Sequence, residues 1–151
     1  MGSIKINFME KYEKSIEECT NKINKKFEVA LDESDTYVCI KLYSLDIKDN
    51  HSFFNKQPNI QATIERFGRD KIMKIQDIDV IDKNVGNGSI LLSHLIEYCK
   101  NIGVSNIKGD ISIVDKNHFS RLKHFYSKFN FDVEIGNNAG SINLDLRDCK
   151  R

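Results

Sequence analysis

The segment Ile78–Leu92, with the sequence IDVIDKNVGNGSILL, is the part of the chain that decides the fold. A run rich in β-branched residues, typical of a strand, leads into a turn with Gly86 and Gly88, and apolar residues at helical spacing follow. Glycines in such a turn leave backbone N–H groups uncovered where the helix begins, and the positive end of the helix dipole lies at the same place. A turn of this kind can attract a phosphate group, to which Lys83 could add a charged contact.

Two common nucleotide-binding turns do not fit this segment. A Walker loop requires Gly-x-x-x-x-Gly-Lys-Ser/Thr, a string that is absent from the chain. A Rossmann fingerprint requires a third glycine where this chain has Leu91, and its turn opens the domain instead of following several strands. The spacing itself leaves two alternatives open, a phosphate-binding turn of another type and an ordinary glycine turn that feeds a helix.

Elements on both sides of the turn complete one domain. Before it, the periodicity predicts a strand over Ile4–Phe8, an amphipathic helix from Phe8 to near Ala30, a polar turn over Asp32–Asp35, strands over Thr36–Ile47, Asn59–Phe67 and Lys71–Ile81, and a polar loop over Lys48–Pro58. After it, the pattern predicts a helix over Ser89–Asn101 that stops at Gly103, a strand over Asn106–Val114, a helix from an Asp115 N-cap to about Phe129, and a hairpin formed by Phe131–Ile135 and Ser141–Leu146. We therefore expect a three-layer α/β domain with a mixed, mostly antiparallel sheet and one parallel crossover between Lys71 and Val114.

The composition is that of a single globular domain. The chain has 151 residues, of which 40% are hydrophobic and 30% charged, and a chain of this length can bury its own core. Its net charge of +1, from 23 basic and 22 acidic residues, gives no support to nucleic-acid binding through bulk charge. No apolar run is long enough to span a membrane, and Met1–Lys11 lacks the apolar region of a secretory signal. We expect a cytoplasmic protein with neither a membrane nor a nucleic-acid partner.

The four cysteines lie far apart along the chain, at Cys19, Cys39, Cys99 and Cys149. No Cys-x-x-Cys pair and no His-Glu-x-x-His helix provides the spacing of metal ligands. A chain that builds its own core does not need a disulfide framework. The sequence therefore predicts four reduced thiols and no metal.

Two segments together resemble the GNAT superfamily of N-acetyltransferases. Lys83–Ser89 is similar to that family's acetyl-CoA loop, Gln/Arg-x-x-Gly-x-Gly/Ala, with Lys83 at the Gln/Arg position. His124–Phe131 is similar to the family's second block, Phe/Leu-Tyr-x-Lys-x-Gly-Phe, with Asn130 at the glycine. Asparagine tolerates the left-handed conformation that ends a helix, so this departure preserves the turn. The two blocks lie about 40 residues apart, in the family's order, and the resemblance covers roughly Lys71–Phe131.

The resemblance implies the GNAT (acyl-CoA N-acyltransferase) fold and acetyl-CoA as co-substrate, bound through backbone amides of the glycine turn. The cofactor-binding residues that it implies are Ile78, Val80, Lys83, Asn84, Val85, Gly86, Asn87, Gly88, Ser89 and Asn117. The family's usual general acid corresponds to Tyr126, whose alternative role is that of a core residue on an apolar helix stripe. Asp77 and Asp79 occupy the strand on which some members carry a general base, and their alternatives are solvent exposure or pairing with Lys71 or Lys74.

The expected activity is acetyl transfer from acetyl-CoA to a primary amine by direct attack in a ternary complex. Residues 1–151 would form one acetyltransferase domain, divided into an acceptor-side part (1–70), an acetyl-CoA-binding core (71–131) and a C-terminal hairpin (132–151). The acceptor would be a small-molecule or peptide amine, and the protein a monomer or homodimer. Two alternatives stay open: a non-catalytic acyl-CoA-binding or protein-interaction module with the same fold, and an adaptor that dimerises through the Phe8–Phe27 apolar seam.

Overall fold

The chain folds around one eight-stranded sheet whose strands are ordered β1-β2-β3-β4-β5-β6-β8-β7. In the computed structural model, residues 19–20, 26–44, 57–81, 86–111, 119–136 and 139–147 are described. The strands are β1 (Cys19–Thr20), β2 (Lys26–Glu33), β3 (Tyr37–Ser44), β4 (Asn59–Phe67), β5 (Asp70–Asp79), β6 (Asn106–Ile111), β7 (Asp132–Ile135) and β8 (Gly140–Asp145). The helices are α1 (Asn87–Ile102) and α2 (Phe119–Ser127). None of these described helices is long and apolar enough to cross a membrane.

The described strand pairs are antiparallel except for β5 and β6. That pair is parallel, as predicted for a crossover through α1, which returns the chain to the end of the sheet where β6 begins. The β4–β5 ladder contains a bulge, because Gln61 pairs with Asp77 while the next residue, Ala62, pairs with Ile75. Gln76 is the extra residue on β5, and such an insertion bends a strand and re-aims the side chains that follow it.

Helix α1 forms because its apolar residues recur on one stripe that the sheet buries. Leu91, Leu92 and Leu95 are each 0% exposed, and α1 packs on β3, β4 and β5. Gly103 ends the helix in the left-handed conformation (φ 78°), where its N–H donates to the carbonyl of Cys99. The predicted glycine stop at the C-terminus of this helix is therefore confirmed.

Helix α2 lies on the same face of the sheet as α1. The ring of Phe125 in α2 lies close to the first turn of α1, where a Cβ atom on Gly88 would be 3.4 Å from Phe125 Cζ. Two successive crossovers that advance in one direction across a sheet place their helices on one face when both have the usual right hand. The apolar core fills the space beneath both helices, and it includes Met73 and Ile107 from the parallel pair.

The structure corrects several predicted boundaries in the first half of the chain. The predicted helix from Phe8 to near Ala30 is wrong over its last part, because Cys19–Thr20 and Lys26–Glu33 are strands. Val29 and Leu31, two residues apart, are both buried in the core, as expected for a strand. This alternation determines the structure here, although the apolar residues before it have helical spacing. The polar turn predicted from Asp32 is also shorter, since β2 continues to Glu33. The predicted strand Ile4–Phe8 and most of the loop Lys48–Pro58 lie outside the described residues.

The later elements agree with the sequence pattern, with shorter ends. β4 has the predicted bounds, β5 ends at Asp79 instead of Ile81, and α1 begins at Asn87 instead of Ser89. β6 is described to Ile111, and the predicted N-cap Asp115 lies outside the described residues. The C-terminal hairpin of β7 and β8 pairs as predicted.

A buried hydrogen bond between β2 and α1 generates a prediction about stability. The Tyr98 hydroxyl donates to Glu33 Oε1 at 2.7 Å, and Glu33 Oε2 is buried with no hydrogen-bond partner among the described residues. Burial, followed by this hydrogen bond, raises the pKa of Tyr98 above its ordinary value. Tyr98→Phe leaves the carboxylate without its donor, and we expect a loss of about 1–3 kcal/mol in the free energy of unfolding, measured in urea. In a Glu33→Ala background, Tyr98→Phe should lower the free energy of unfolding by clearly less. An equal loss in both backgrounds would contradict the coupling between Tyr98 and Glu33.

Candidate functional site

Among the described residues, no side chain caps the N-terminus of α1, and we call this end of the helix its open end. Gly86 is the N-cap residue, with φ 91° and ψ 3°, and no side chain caps the helix. The first turn contains no acidic residue. The first N–H groups of a helix have no carbonyl partner within it. In α1, no side chain of the described residues accepts a capping hydrogen bond from them. This end of α1 can therefore accept an anion.

Three segments of the chain meet at this open end. Asn87 is 2% exposed, and its Nδ2 donates to the carbonyl of Val80 at 3.1 Å. A Cβ atom on Gly88 would lie 3.3 Å from Val80 Cγ1 and 3.4 Å from Phe125 Cζ. The residue after β5, the first turn of α1 and the last turn of α2 thus lie close together, and residue 88 has little space for any side chain.

The parallel strands β5 and β6 separate before they reach this end. Ile72–Ile75 pair with Asn106–Gly109, while β5 continues to Asp79 and β6 to Ile111. Among the described residues the two strands make no further pairs, so Gln76–Asp79 have backbone groups free of β6 on that side. An extended ligand with amide groups can bond to such a free strand edge. The gap leads toward Val80 and the first turn of α1.

The two candidate carboxylates lie on β5 after the bulge. Asp77 is exposed, and Asp79 is half-buried with Oδ1 accepting the N–H of Ile81 at 3.2 Å. Neither forms an ion pair with another described residue, since Lys74 pairs with Asp110 (3.5 Å) and Lys71 donates to the carbonyl of Ile102 (2.8 Å). The alternative pairing with Lys71 or Lys74 is therefore not observed. Asp77 forms no hydrogen bond with another described side chain, whereas one oxygen of Asp79 accepts the N–H of Ile81.

Tyr126 lies in α2, next to Phe125. It is 8% exposed, and its ring contacts those of Phe125 and Phe131 edge-to-face at centroid distances of 5.0 and 5.4 Å. Burial raises the pKa of Tyr126 to about 12. The phenol therefore holds its proton throughout the neutral range and can serve as a donor.

The end of α2 confirms a detail that the sequence predicts. Asn130 has φ 68°, the left-handed conformation expected for a residue that stands at a glycine position. The N–H of Phe131 then donates to the carbonyl of Tyr126 at 3.2 Å and closes the turn. This turn brings Phe131 back onto the ring of Tyr126.

Of the remaining predicted cofactor residues, two are described in the structure and four lie outside the described residues. Ile78 is half-buried and pairs with Ile60 across β4 and β5, and Ser89 is half-buried in the first turn of α1. Lys83, Asn84, Val85 and Asn117 lie outside the described residues. The described residues contain no group of three His, Cys, Asp or Glu side chains that could hold a metal ion.

Sequence reasoning missed three features of this site: the bulge at Gln76, the buried side chain of Asn87, and the left-handed backbone of Ile81 (φ 64°). The bulge has a signal, because consecutive polar residues between Ile75 and Ile78 break the apolar alternation of the strand. Asn87 also has one, since it lies four residues before Leu91 on the buried stripe. Ile81 has none, because β-branched residues rarely adopt positive φ.

No protein-family model matches this sequence. The uncharacterized protein YocC of Bacillus subtilis (strain 168) is 39% identical over 61 residues, which cover 39% of this chain and 37% of YocC. The matched segment thus spans little more than a third of either protein.

Solved structures provide a broader likeness. The GNAT domain of S. lividans PAT superposes with a TM-score of 0.59 at 8% identity, covering 86% of this chain and 96% of that domain. Arabidopsis thaliana Naa50, in complex with the bisubstrate analogue CoA-Ac-MVNAL, has a TM-score of 0.52 at 16% identity, covering 71% and 72% of the two chains. A GNAT-family acetyltransferase from Streptococcus pneumoniae has a TM-score of 0.51 at 15% identity, covering 75% and 69%.

The chain has the GNAT fold, as the resemblance in the sequence predicts. At identities this low, the likeness shows the α/β fold alone. The contacts of this chain's own residues at the open end of α1 define the chemistry that the site supports.

The burial of Tyr126 predicts a dependence of stability on alkaline pH. An unfolded tyrosine ionises near pH 10, whereas folded Tyr126 holds its proton to about pH 12. Between these values the unfolded state binds fewer protons, so the free energy of unfolding should fall as the pH rises. Tyr126→Phe should make that fall smaller, measured by urea unfolding at about pH 9 and about pH 11.5. An identical pH dependence in both proteins would contradict the burial of this phenol.

Proposed function

We propose that this protein is an N-acetyltransferase that transfers the acetyl group of acetyl-CoA to a primary amine. The observation that carries the proposal is the open, uncapped N-terminus of α1 at the end of the gap between β5 and β6. An anion site next to an unpaired strand edge suits a ligand that has a phosphate group at one end and an extended chain with amide groups at the other. Coenzyme A has both parts.

In this proposal the N–H groups of Gly86–Ser89 bind the pyrophosphate, with the help of the helix dipole. The left-handed backbone of Gly86 and the lack of acidic residues in the first turn favour an anion there. The free edge of Gln76–Asp79 binds the extended arm. Ile78 and Val80 flank that arm, and Lys83, Asn84, Val85 and Asn117 belong to the proposed cofactor site through the sequence resemblance.

The same proposal assigns a different role to each part of the chain. Residues 71–131 contain all but the first residue of β5, together with α1, β6 and α2, and form the cofactor-binding core. Residues 1–70 form the acceptor side, and residues 132–151 complete the sheet as a hairpin. All belong to one acetyltransferase domain of a cytoplasmic protein, which acts as a monomer or homodimer.

The chemistry requires two proton transfers around one acyl transfer. Acetyl-CoA supplies a thioester whose carbonyl carbon the amine attacks, so that a C–N bond forms and the C–S bond breaks. Asp77, exposed at the bulge, accepts the amine proton through water. Tyr126 donates its hydroxyl proton to the departing thiolate, which the raised pKa allows by keeping the phenol protonated. Asp79 is the weaker candidate for the base, because the Ile81 N–H occupies one of its oxygens.

A second function has one observation in its favour. Tyr126 is 8% exposed within an aromatic cluster, as expected for a core residue as well as for a buried acid. The alternative is a non-catalytic acyl-CoA-binding module that uses the same open end of α1. The two functions share the binding step and differ in turnover.

The glycine caps of α1 provide a matched test of the binding step. Gly86 (φ 91°) and Gly103 (φ 78°) both have left-handed backbones, at opposite ends of the same helix. Alanine at either position costs about 1–2 kcal/mol of strain. We expect Gly86→Ala to weaken coenzyme A binding about tenfold or more, because it displaces N–H groups at the anion site. Gly103→Ala should reduce stability to a similar degree without changing the affinity, measured by isothermal titration. Equal affinities for both variants would count against the proposed site.

Tyr126→Phe tests the catalytic step. The change removes the hydroxyl and preserves the ring contacts with Phe125 and Phe131. We expect the turnover rate to fall by about 10²-fold or more while the affinity for coenzyme A is unchanged. The measurement is the release of free thiol over a panel of peptide and small-molecule amines. Unchanged turnover would exclude Tyr126 as the acid, and binding without turnover in the wild type over the whole panel would favour the non-catalytic module.

A further inference from the structure

The segment that joins β5 to α1 has unusual backbone at both of its ends. Ile81 (φ 64°) follows the end of β5, and Gly86 (φ 91°) precedes the start of α1. Glycine adopts such angles freely, but a β-branched residue does so at an energetic cost. The Asp79 carboxylate accepts the N–H of Ile81 at 3.2 Å and helps to hold that conformation. The surrounding contacts must therefore stabilise this connection.

A hydrogen bond between Asn87 and Val80 joins the two ends of this connection. Val80 comes just before Ile81, and Asn87 comes just after Gly86. Asn87 Nδ2 donates to the carbonyl of Val80 at 3.1 Å and so links the first residue of α1 to the residue after β5. A Cβ atom on Gly88 would lie only 3.3 Å from Val80 Cγ1, so the first turn of α1 lies close to Val80 at the next residue as well. The two ends of the connection are thus fixed to each other.

The position of Asn87 on α1 makes its side chain notable. Asn87 precedes Leu91 and Leu95 on the buried stripe of the helix, where an apolar side chain would pack without losing hydration. A fully buried amide is costly unless it forms hydrogen bonds. Asparagine in this place is therefore better explained by the bond to the Val80 carbonyl than by packing.

We propose that Asn87 is a positioning residue for the anion site. Its buried amide fixes the first turn of α1 against the end of β5, and the N–H groups of Gly86–Ser89 are thereby held in the arrangement that binds a pyrophosphate. Asn87 acts through the backbone and does not touch the ligand with its side chain, which is buried and bonded to Val80. The inference rests on the proposed coenzyme A site and adds what holds that site in shape.

Asn87→Leu tests this role without opening a cavity. Leucine has the same number and branching of side-chain heavy atoms as asparagine, suits the buried stripe and removes the donor. We expect the affinity for coenzyme A to fall about tenfold or more, since preorganised donors lose binding free energy when they are displaced. In the ligand-free protein, hydrogen exchange at the Ile90 amide, which donates to the carbonyl of Gly86 at 3.1 Å, should accelerate by about tenfold.

Ser105 provides the matched control at the other end of the same crossover. Its Oγ donates to the carbonyl of Lys71 at 3.1 Å, and the residue is 8% exposed. Ser105→Ala thus removes a buried side-chain bond to a β5 carbonyl, as Asn87→Leu does, but far from the open end of α1. It should lower the urea midpoint while both the affinity for coenzyme A and the exchange of the Ile90 amide stay at wild-type values.

The outcomes separate this inference from the proposed function. If Asn87→Leu binds coenzyme A as tightly as the wild type, or if Ser105→Ala weakens binding equally, the positioning role is wrong. If the wild type does not bind coenzyme A, the proposed function is wrong, and hydrogen exchange alone decides whether Asn87 fixes the turn. Unchanged exchange of the Ile90 amide in Asn87→Leu would then overturn the inference as well.

Discussion

The seating of α1 on the sheet is the constraint on which the rest of the structure depends. Leu91, Leu92 and Leu95 are completely buried against the strands, and each such side chain contributes about 1.5–3 kcal/mol through burial. Because the helix connects two parallel neighbours, its seating also determines where its two ends lie. The C-terminal end is closed by Gly103, whereas the N-terminal end is left without a cap beside the end of β5.

Around that open end, the backbone departs from regular secondary structure in several ways. The bulge at Gln76 and the early separation of β5 from β6 free a strand edge, and Ile81 holds a left-handed backbone next to it. Regular pairing would satisfy these groups within the protein. Departures of this kind are tolerated where a ligand completes the structure, and their concentration at one end of the sheet supports the proposed site.

Local patterns in the sequence predict the second half of the fold well. The β4 bounds, the glycine stop of α1 and the parallel crossover follow from turn chemistry and hydrophobic periodicity. The left-handed Asn130 follows from the resemblance to the family's second block. The first half is harder, because the residues up to Ala30 carry apolar spacing that fits a helix, while strand pairing with β3 determines the structure of Lys26–Glu33. Tertiary pairing overrides local spacing there. Contacts between distant residues, such as Asn87 with Val80 or Tyr98 with Glu33, have no periodic signal and required the structure.

The central claim is that the open end of α1 and the free edge of β5 together bind coenzyme A. A titration of the ¹⁵N-labelled protein with coenzyme A, followed through backbone amide chemical shifts, tests this claim most directly. Binding at this site should give saturable shifts at Gly86–Ser89 and Gln76–Asp79, with those of Gly103 and Ser105 at the opposite end of the crossover unchanged. Shifts absent from both segments, or confined to the opposite end of α1, would contradict it.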